Sequence, residues 1–331
     1  MTSLSRSRLL ILALGLSAAH SLSAQPTKAS AEVPTWLYPH VVSPKSAPSP
    51  DSVRLLRLPG STRAFTRAQV ADLFTAIDWY PASHPAMPGV VGVGRRPGVY
   101  ACGYCHLPAG GGRPENAALA GLPADYIVQQ VQAFKTGVRR NARKGPHAPF
   151  DNMTLVGKNA TDDEVARAAE YYAALTPQRR VRVVETNRVP RTYVTGALHA
   201  VSPGNQREAI AGRIIEVPEN QERFALRDER SGFVAYVPPG SVSRGRAMSE
   251  RGVSGAASCE TCHGESLRGG PMGPPIAGQF PSYVMRQLVA FRSGARTGSA
   301  AMPMQAMVAA LSTDELVALS AYVGSLSPRR Q

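Results

Sequence analysis

Cys102-Gly103-Tyr104-Cys105-His106 and Cys259-Glu260-Thr261-Cys262-His263 are the two stretches that decide how this chain folds. Together they use all four cysteines of the 331 residues, each pair spaced CxxC and followed at once by a histidine. Four cysteines in an exported chain would ordinarily suggest two disulfides, and a lone CxxC also reads as a redox dithiol or half a zinc site. CxxCH twice, with no cysteine left over, is instead the attachment pattern of c-type haem. Two thiols one short turn apart add to the two vinyl groups, and the adjoining imidazole is carried beneath the iron as its proximal ligand. The expected cofactors are two covalently bound haem c groups, held by Cys102, Cys105, Cys259 and Cys262, with His106 and His263 on the metal.

A shift of 157 residues lays the first motif on the second and runs without a gap to Arg139 and Arg296. Along it Pro114 meets Pro271, Gly121 meets Gly278, Tyr126 meets Tyr283, Gln130 meets Gln287, Phe134 meets Phe291 and Gly137 meets Gly294. After a six-residue deletion in the second copy the shift becomes 151, and Asp163, Glu164, Tyr171, Pro177 and Arg179 meet Asp314, Glu315, Tyr322, Pro328 and Arg330. The chain reads as two copies of one haem domain. In each copy apolar residues recur at helical spacing, Tyr126, Ile127, Val131 and Phe134 in the first and Tyr283, Val284, Leu288 and Phe291 in the second. Gly137 and Gly294 stop these helices. The closing helices open on capping boxes, Thr161 with Glu164 and Ser312 with Glu315. Their apolar stripes, Val165 to Leu175 and Leu316 to Leu326, read as ordinary core.

The sixth iron ligand is expected between the Gly-stopped helix and the closing helix, where the chain must cross the far face of the haem. Met153 is the only methionine there in the first copy, and the 151 shift pairs it with Met304. Met302 and Met307 flank Met304, and a flexible thioether is often a gap filler. The order of preference is Met304, Met302, Met307. His147 is the rival at the first iron, but it has no counterpart in the repeat, and Pro146 and Pro149 mark it as an exposed loop residue. His40 and His84 read as surface or loop residues, and His199 lies outside both copies.

Composition bounds the remainder. With 43% hydrophobic and 18% charged residues, 28 Pro and 30 Gly, the chain is neither coiled coil, collagen-like nor wholly disordered. Its net charge is +14, yet arginine is scattered and no nucleic-acid motif accompanies it. Residues 1–24 read as a signal peptide: Arg6 and Arg8, an apolar run from Leu9 to Ala19, then small residues to Ala24. That run is too short to span a bilayer, so a periplasmic protein, soluble or peripheral to the membrane, is expected. Removing the signal leaves a net charge of +12, suited to redox partners with acidic docking surfaces. Residues 25–57 are Pro-rich and read as irregular. A helix from Thr66 to Tyr80 and a proline-punctuated strap lead into the first motif, giving a first domain at 58–178. Three β-branched runs at Val181–Val184, Arg213–Val217 and Phe233–Val237 make 179–243 a connector of a few antiparallel strands. The second domain is 244–331. Pro-Gly-Ser at 59–61 and 239–241 is a weak sign that the repeat extends further.

These residues resemble the class I cytochromes c, specifically the tandem dihaem type exemplified by cytochrome c4, over roughly 98–178 and 244–328. The resemblance implies a mainly α fold, two small helical domains in tandem, and low-spin His/Met haems carrying one electron each. It also implies a proline carbonyl that accepts from the proximal histidine. Pro274, before Ile276-Ala277-Gly278, fits; the first copy has Ala117 there, which leaves the placement of its carbonyl open. The function implied is electron transfer from a periplasmic dehydrogenase or quinol-oxidising complex to a terminal acceptor. The alternatives are a dihaem enzyme of peroxidase or sulfur-compound dehydrogenase type, needing one iron with a replaceable ligand, and a cytochrome subunit of a larger dehydrogenase.

Overall fold

The computed structural model describes residues 33–40, 53–253 and 257–328. The expected signal peptide, much of the Pro-rich segment and Arg330 lie outside the described residues. Of the Pro-rich segment, Thr35–Leu37 forms a 3₁₀ turn, and Leu37 and Tyr38 are buried in the core of the C-terminal half. The described part of that segment is therefore docked rather than loose, because three large apolar side chains in a row need no periodicity to find a groove. A short hairpin follows, β1 (Leu55–Arg57) with β2 (Ala64–Thr66).

α1 (Arg67–Ala71) is far shorter than the helix expected from Thr66 to Tyr80. Asp72 ends it. Its backbone turns extended, and its carboxylate accepts from the Phe74 amide at 3.1 Å and the Thr75 hydroxyl at 3.0 Å. Such local bonds compete with the helical ladder. The strap beyond buries Ile77, Trp79 and Tyr80 and passes through α2 (Gly89–Gly92) into α3 (Cys102–His106).

α4 (Ala124–Lys135), α5 (Ala148–Asn159) and α6 (Asp162–Ala174) complete the first helical unit. The Thr161 capping box closes reciprocally, satisfying two amides that the first turn of α6 leaves free. The core of this unit gathers Ile127, Ala168, Ala169, Tyr172 and Leu175.

The connector holds β3 (Val181–Glu185), β4 (Arg188–Pro190), β5 (Thr192–Thr195), β6 (Leu198–Val201), β7 (Arg207–Ala209), β8 (Ile215–Pro218), α7 (Gln221–Ala225) and β9 (Phe233–Val237). The three β-branched runs join in one sheet of order β3-β9-β8. β8 and β9 are antiparallel, as are the pairs β4–β7 and β5–β6, but β3 and β9 run parallel, with Val181 opposite Phe233. The expectation of antiparallel strands alone fails there because the chain between β3 and β9 is long enough to make a crossover. Phe233 packs edge-on to Phe280, so the sheet rests on the second helical unit.

That unit consists of α8 (Ser241–Arg251), α9 (Glu260–His263), α10 (Pro281–Arg292), α11 (Met302–Val308) and α12 (Thr313–Ser325). α8 crosses α12 so closely at Gly245 that a Cβ would collide with the Ala318 carbonyl oxygen. In the first unit only the one-turn α2 stands where the 157 shift would place α8: Pro85 and Pro88 lie in that stretch, and a proline inside a helix removes a bond and clashes with the preceding turn. Elsewhere some backbone bonds recur between the copies. The Gly121 amide donates to Tyr172 at 3.0 Å, and its repeat partner Gly278 donates to Val323 at 2.9 Å. Among the described residues no single helix is long and apolar enough to cross a membrane.

Candidate haem sites and the seam between them

In the first unit one large cavity is lined by Cys102, Cys105 and His106 from α3, Met153 from α5 and Tyr172 from α6. The helical turn of α3 puts the two thiols on the same side, and Gly103 between them fits tightly. A Cβ there would stand 2.8 Å from both Ala76 and the Val91 carbonyl oxygen of the strap. His106 Nδ1 lies 2.9 Å from the Ala117 carbonyl oxygen. A carbonyl has no proton to give, so Nδ1 carries the hydrogen and donates it, leaving the lone pair on Nε2. Burial lowers the imidazole's pKa, which favours the neutral form a metal needs.

The second unit repeats the histidine bond. His263 Nδ1 donates to the Pro274 carbonyl oxygen at 2.8 Å. Ala117 therefore positions its carbonyl as well as the proline does. Burial lowers the pKa of His263 too. Cys259 and Met304 both pack against the same buried cluster of Val284, Leu288 and Leu316. Met307 also packs there, whereas Met302 is 64% exposed.

The donor set fits haem c at both places. Each has two cysteines and a histidine with Nε2 free, and a methionine lines the same cavity or packs on the same core. Burial pushes the Cys102 thiol up to about 12 and raises those of Cys105 and Cys259, so these are poor redox nucleophiles. Four residues that line the cavity, Glu115, Asn141, His147 and Tyr172, each keep a buried polar side-chain atom with no partner within the protein, which leaves polar groups at hand for a bound cofactor.

His147 is not the exposed loop residue its prolines suggested. It is 4% exposed, with Tyr38 edge-on at 5.4 Å between ring centroids and His40 at 6.2 Å. The side chain of His84 is also buried, held by the Tyr171 hydroxyl at 3.0 Å and the Pro85 carbonyl at 2.8 Å, and His199 sits in the connector.

Between the units runs a seam that the sequence reading passed over. The Arg140 amide donates to Ala295 at 2.8 Å, and the Thr297 amide donates to Val138 at 2.7 Å. The 157 shift exchanges these two bonds, so the units meet about a pseudo-twofold axis. Arg139 donates to its own Gln130 at 2.8 Å, and across the axis to Gln287 at 2.9 Å and Tyr283 at 3.2 Å. Arg296 mirrors it, donating to Gln287 at 3.1 Å and Gln130 at 2.7 Å. All these side chains line the first cavity. The signal was present in the repeat, where Tyr, Gln and Arg recur at matched positions, but periodicity alone read the tyrosines as helix core.

The Cytochrome c family profile matches residues 249–327. Cytochrome c4 of Azotobacter vinelandii is 25% identical over 248 residues, 74% of this chain and 91% of that protein. A protein of Thiomonas intermedia (strain K12) named "Thiosulfate dehydrogenase electron acceptor" is 27% identical over 239 residues, 71% of this chain and 78% of its own length. Cytochrome c-554(548) of Halomonas halodenitrificans is 34% identical over 68 residues, 20% of this chain and 82% of that protein. With the attachment motifs, the paired histidine bonds and these likenesses in hand, the chain belongs to the cytochrome c family and resembles cytochrome c4.

Proposed function

We propose that this is an exported, periplasmic electron-transfer protein with two haem c groups, one in each of two class I cytochrome domains at 58–178 and 244–331, joined by the connector at 179–243. The observation that carries the reading is the matched pair of bonds from His106 to Ala117 and from His263 to Pro274. Each fixes the tautomer and presents Nε2 to a metal, and such outer bonds are what orient a ligating imidazole. Bound haem c supplies a one-electron iron couple.

In this reading Cys102, Cys105, Cys259 and Cys262 would hold the groups covalently, and His106 with Met153 and His263 with Met304 would ligate the two irons. With its ligands supplied by side chains, each site would serve to exchange electrons with redox partners. The positive charge favours partners with acidic docking faces, so electron transfer slows as salt rises. The test is the absorption spectrum of the exported holoprotein, oxidised and reduced, with added carbon monoxide. Low-spin irons indifferent to carbon monoxide, with one sulfur-to-iron band lost in each of Met153→Ala and Met304→Ala, support the assignment. A high-spin iron in the unmodified protein overturns it in favour of a dihaem enzyme.

A second reading, the electron-accepting partner of a thiosulfate dehydrogenase, is favoured by the name of the Thiomonas relative. Reduction of the holoprotein by such a dehydrogenase with thiosulfate tests it, and failure under conditions where a small-molecule acceptor is reduced rejects it.

A further inference from the structure

The two attachment turns carry opposite unbalanced charges. At the first, Arg227 follows α7 with a left-handed backbone, φ 57°. Its guanidinium lies 3.4 Å from the centroid of the Tyr104 ring, and it donates to the Tyr104 carbonyl oxygen at 2.8 Å. Tyr104 stands between the two cysteines of the first motif. The placement is anchored from the strap, since Trp79 Nε1 donates to the Leu226 carbonyl at 2.7 Å and both residues are buried. Of the other charges about this turn, Arg113 pairs with Glu115 at 3.0 Å and Arg95 with Glu164 at 2.9 Å, and the Glu229 carboxylate, which accepts from the Ala109 amide at 3.1 Å, has the buried Arg180 charge near it. Arg227 donates to a carbonyl instead, and on the seam side of the cavity Arg139 and Arg296 add cations bonded only to neutral groups, so the surplus about the first site is positive.

The 157 shift carries Tyr104 onto Thr261, Gly103 onto Glu260 and Arg113 onto Gly270. The second turn therefore has no ring to hold a guanidinium, and it has a carboxylate between its cysteines. Glu260 Oε1 accepts from the Ser266 amide at 2.9 Å, which folds that carboxylate back over the attachment turn. The nearby pair Arg246–Glu250, at 2.7 Å, is balanced in itself.

An iron loses one positive charge on reduction. A nearby cation stabilises the reduced state and raises the potential, while a nearby anion lowers it. We propose that Arg227 and Glu260 separate the two haems in potential, the one held by His106 standing above the one held by His263. This rests on the two-haem reading above. The resting direction of internal transfer is then one electron from Fe(II) at the His263 site to Fe(III) at the His106 site, with no bond made or broken and no proton moved. The connector, which supplies Arg227, becomes the element that sets this order.

The experiment is a spectroelectrochemical titration of the holoprotein beside Arg227→Gln, Arg227→Lys and Glu260→Gln, after haem content has been measured per chain. Arg227→Gln is expected to lower the upper potential so that the internal equilibrium constant falls about tenfold, which for one electron is about 59 mV. Arg227→Lys keeps the charge and restores most of the shift. Glu260→Gln raises the lower potential and leaves the upper one in place. The proposal is overturned if Arg227→Gln moves the lower wave, if Arg227→Lys behaves like Arg227→Gln, or if neither charge removal shifts anything. Should Arg227→Gln yield no folded holoprotein, Glu260→Gln decides alone: a raised lower wave supports, an unmoved one refutes. One haem per chain in the unmodified protein would sink the two-haem reading instead.

Discussion

Replacing His147 with glutamine should tilt the protein's response to acid. Burial, and then the Arg286, His40 and Arg143 charges, push the imidazole from 6.5 down to about 3. A histidine that folding keeps neutral takes its proton more readily in the unfolded chain. Its contribution is intact above the unfolded pKa and is lost as the pH falls toward the folded one. From pH 7 to pH 5 the loss is about 2 kcal/mol, at about 1.4 kcal/mol per pH unit once below the unfolded pKa. Glu216 works the other way. Burial raises its carboxyl from 4.5 to about 7, one oxygen accepts from the Ser282 amide and hydroxyl, and the other has no partner. It gains its proton first in the folded state, which adds about 2 kcal/mol over the same interval. In the unmodified protein these two contributions should nearly cancel between pH 7 and pH 5, and each variant is compared with it. His147→Gln should become more stable on acidification by about 2 kcal/mol, and Glu216→Gln less stable by as much. Denaturant unfolding of the holoproteins at several pH values reads this directly. Three parallel profiles would show that neither group titrates differently on folding and would refute the reasoning.

Two further outcomes follow from the repeat. Gly278→Ala should cost about 2–4 kcal/mol, since it combines a left-handed backbone, φ 74°, with a Cβ placed 2.9 Å from the Pro328 ring. Gly294→Ala, with φ 71° and open space around it, should cost only about 1–2 kcal/mol in the same urea titration, and equal losses would contradict the packing argument. At the seam, Arg139→Ala and Arg296→Ala share Gln130 and Gln287 as acceptors, so the double variant should depart from additivity by about 0.5–3 kcal/mol in a mutant cycle. Strict additivity would mean the two networks are independent.

What the sequence made legible was local or repeated. Cysteine spacing picked out the turns that fold as α3 and α9, glycines and capping boxes marked the helix ends, and the two shifts paired residues that the structure pairs again, down to the amide bonds of Gly121 and Gly278. What escaped it depended on partners far along the chain. The prolines around His147 promised exposure, but Tyr38 covers the ring, and Arg286 from α10 lies near enough to depress its pKa. The helix expected to Tyr80 stopped at Asp72 because one short carboxylate outcompeted a turn of ladder. Strand runs were visible, whereas the parallel pairing of β3 with β9 depended on a crossover that no single run encodes. Ala117 shows the reverse case, a departure from the family pattern at which the backbone supplies the carbonyl regardless of side chain.

The 3₁₀ turn at Thr35–Leu37 has a consequence for the order of assembly. Leu37 and Tyr38 sit in a core built by α10, α11 and α12, and the Arg286 guanidinium reaches back to the Leu37 carbonyl at 3.4 Å. Residues 37 and 38 therefore find their place only once the helices near residues 281–325 exist. Contacts so far apart in sequence close slowly, because the loop between them must be ordered before they give anything back. Until then the side of the first cavity bordered by Tyr38 stays open. Because Tyr38 both lines that cavity and packs in the core of the second unit, the segment ties the two halves to one another when it docks.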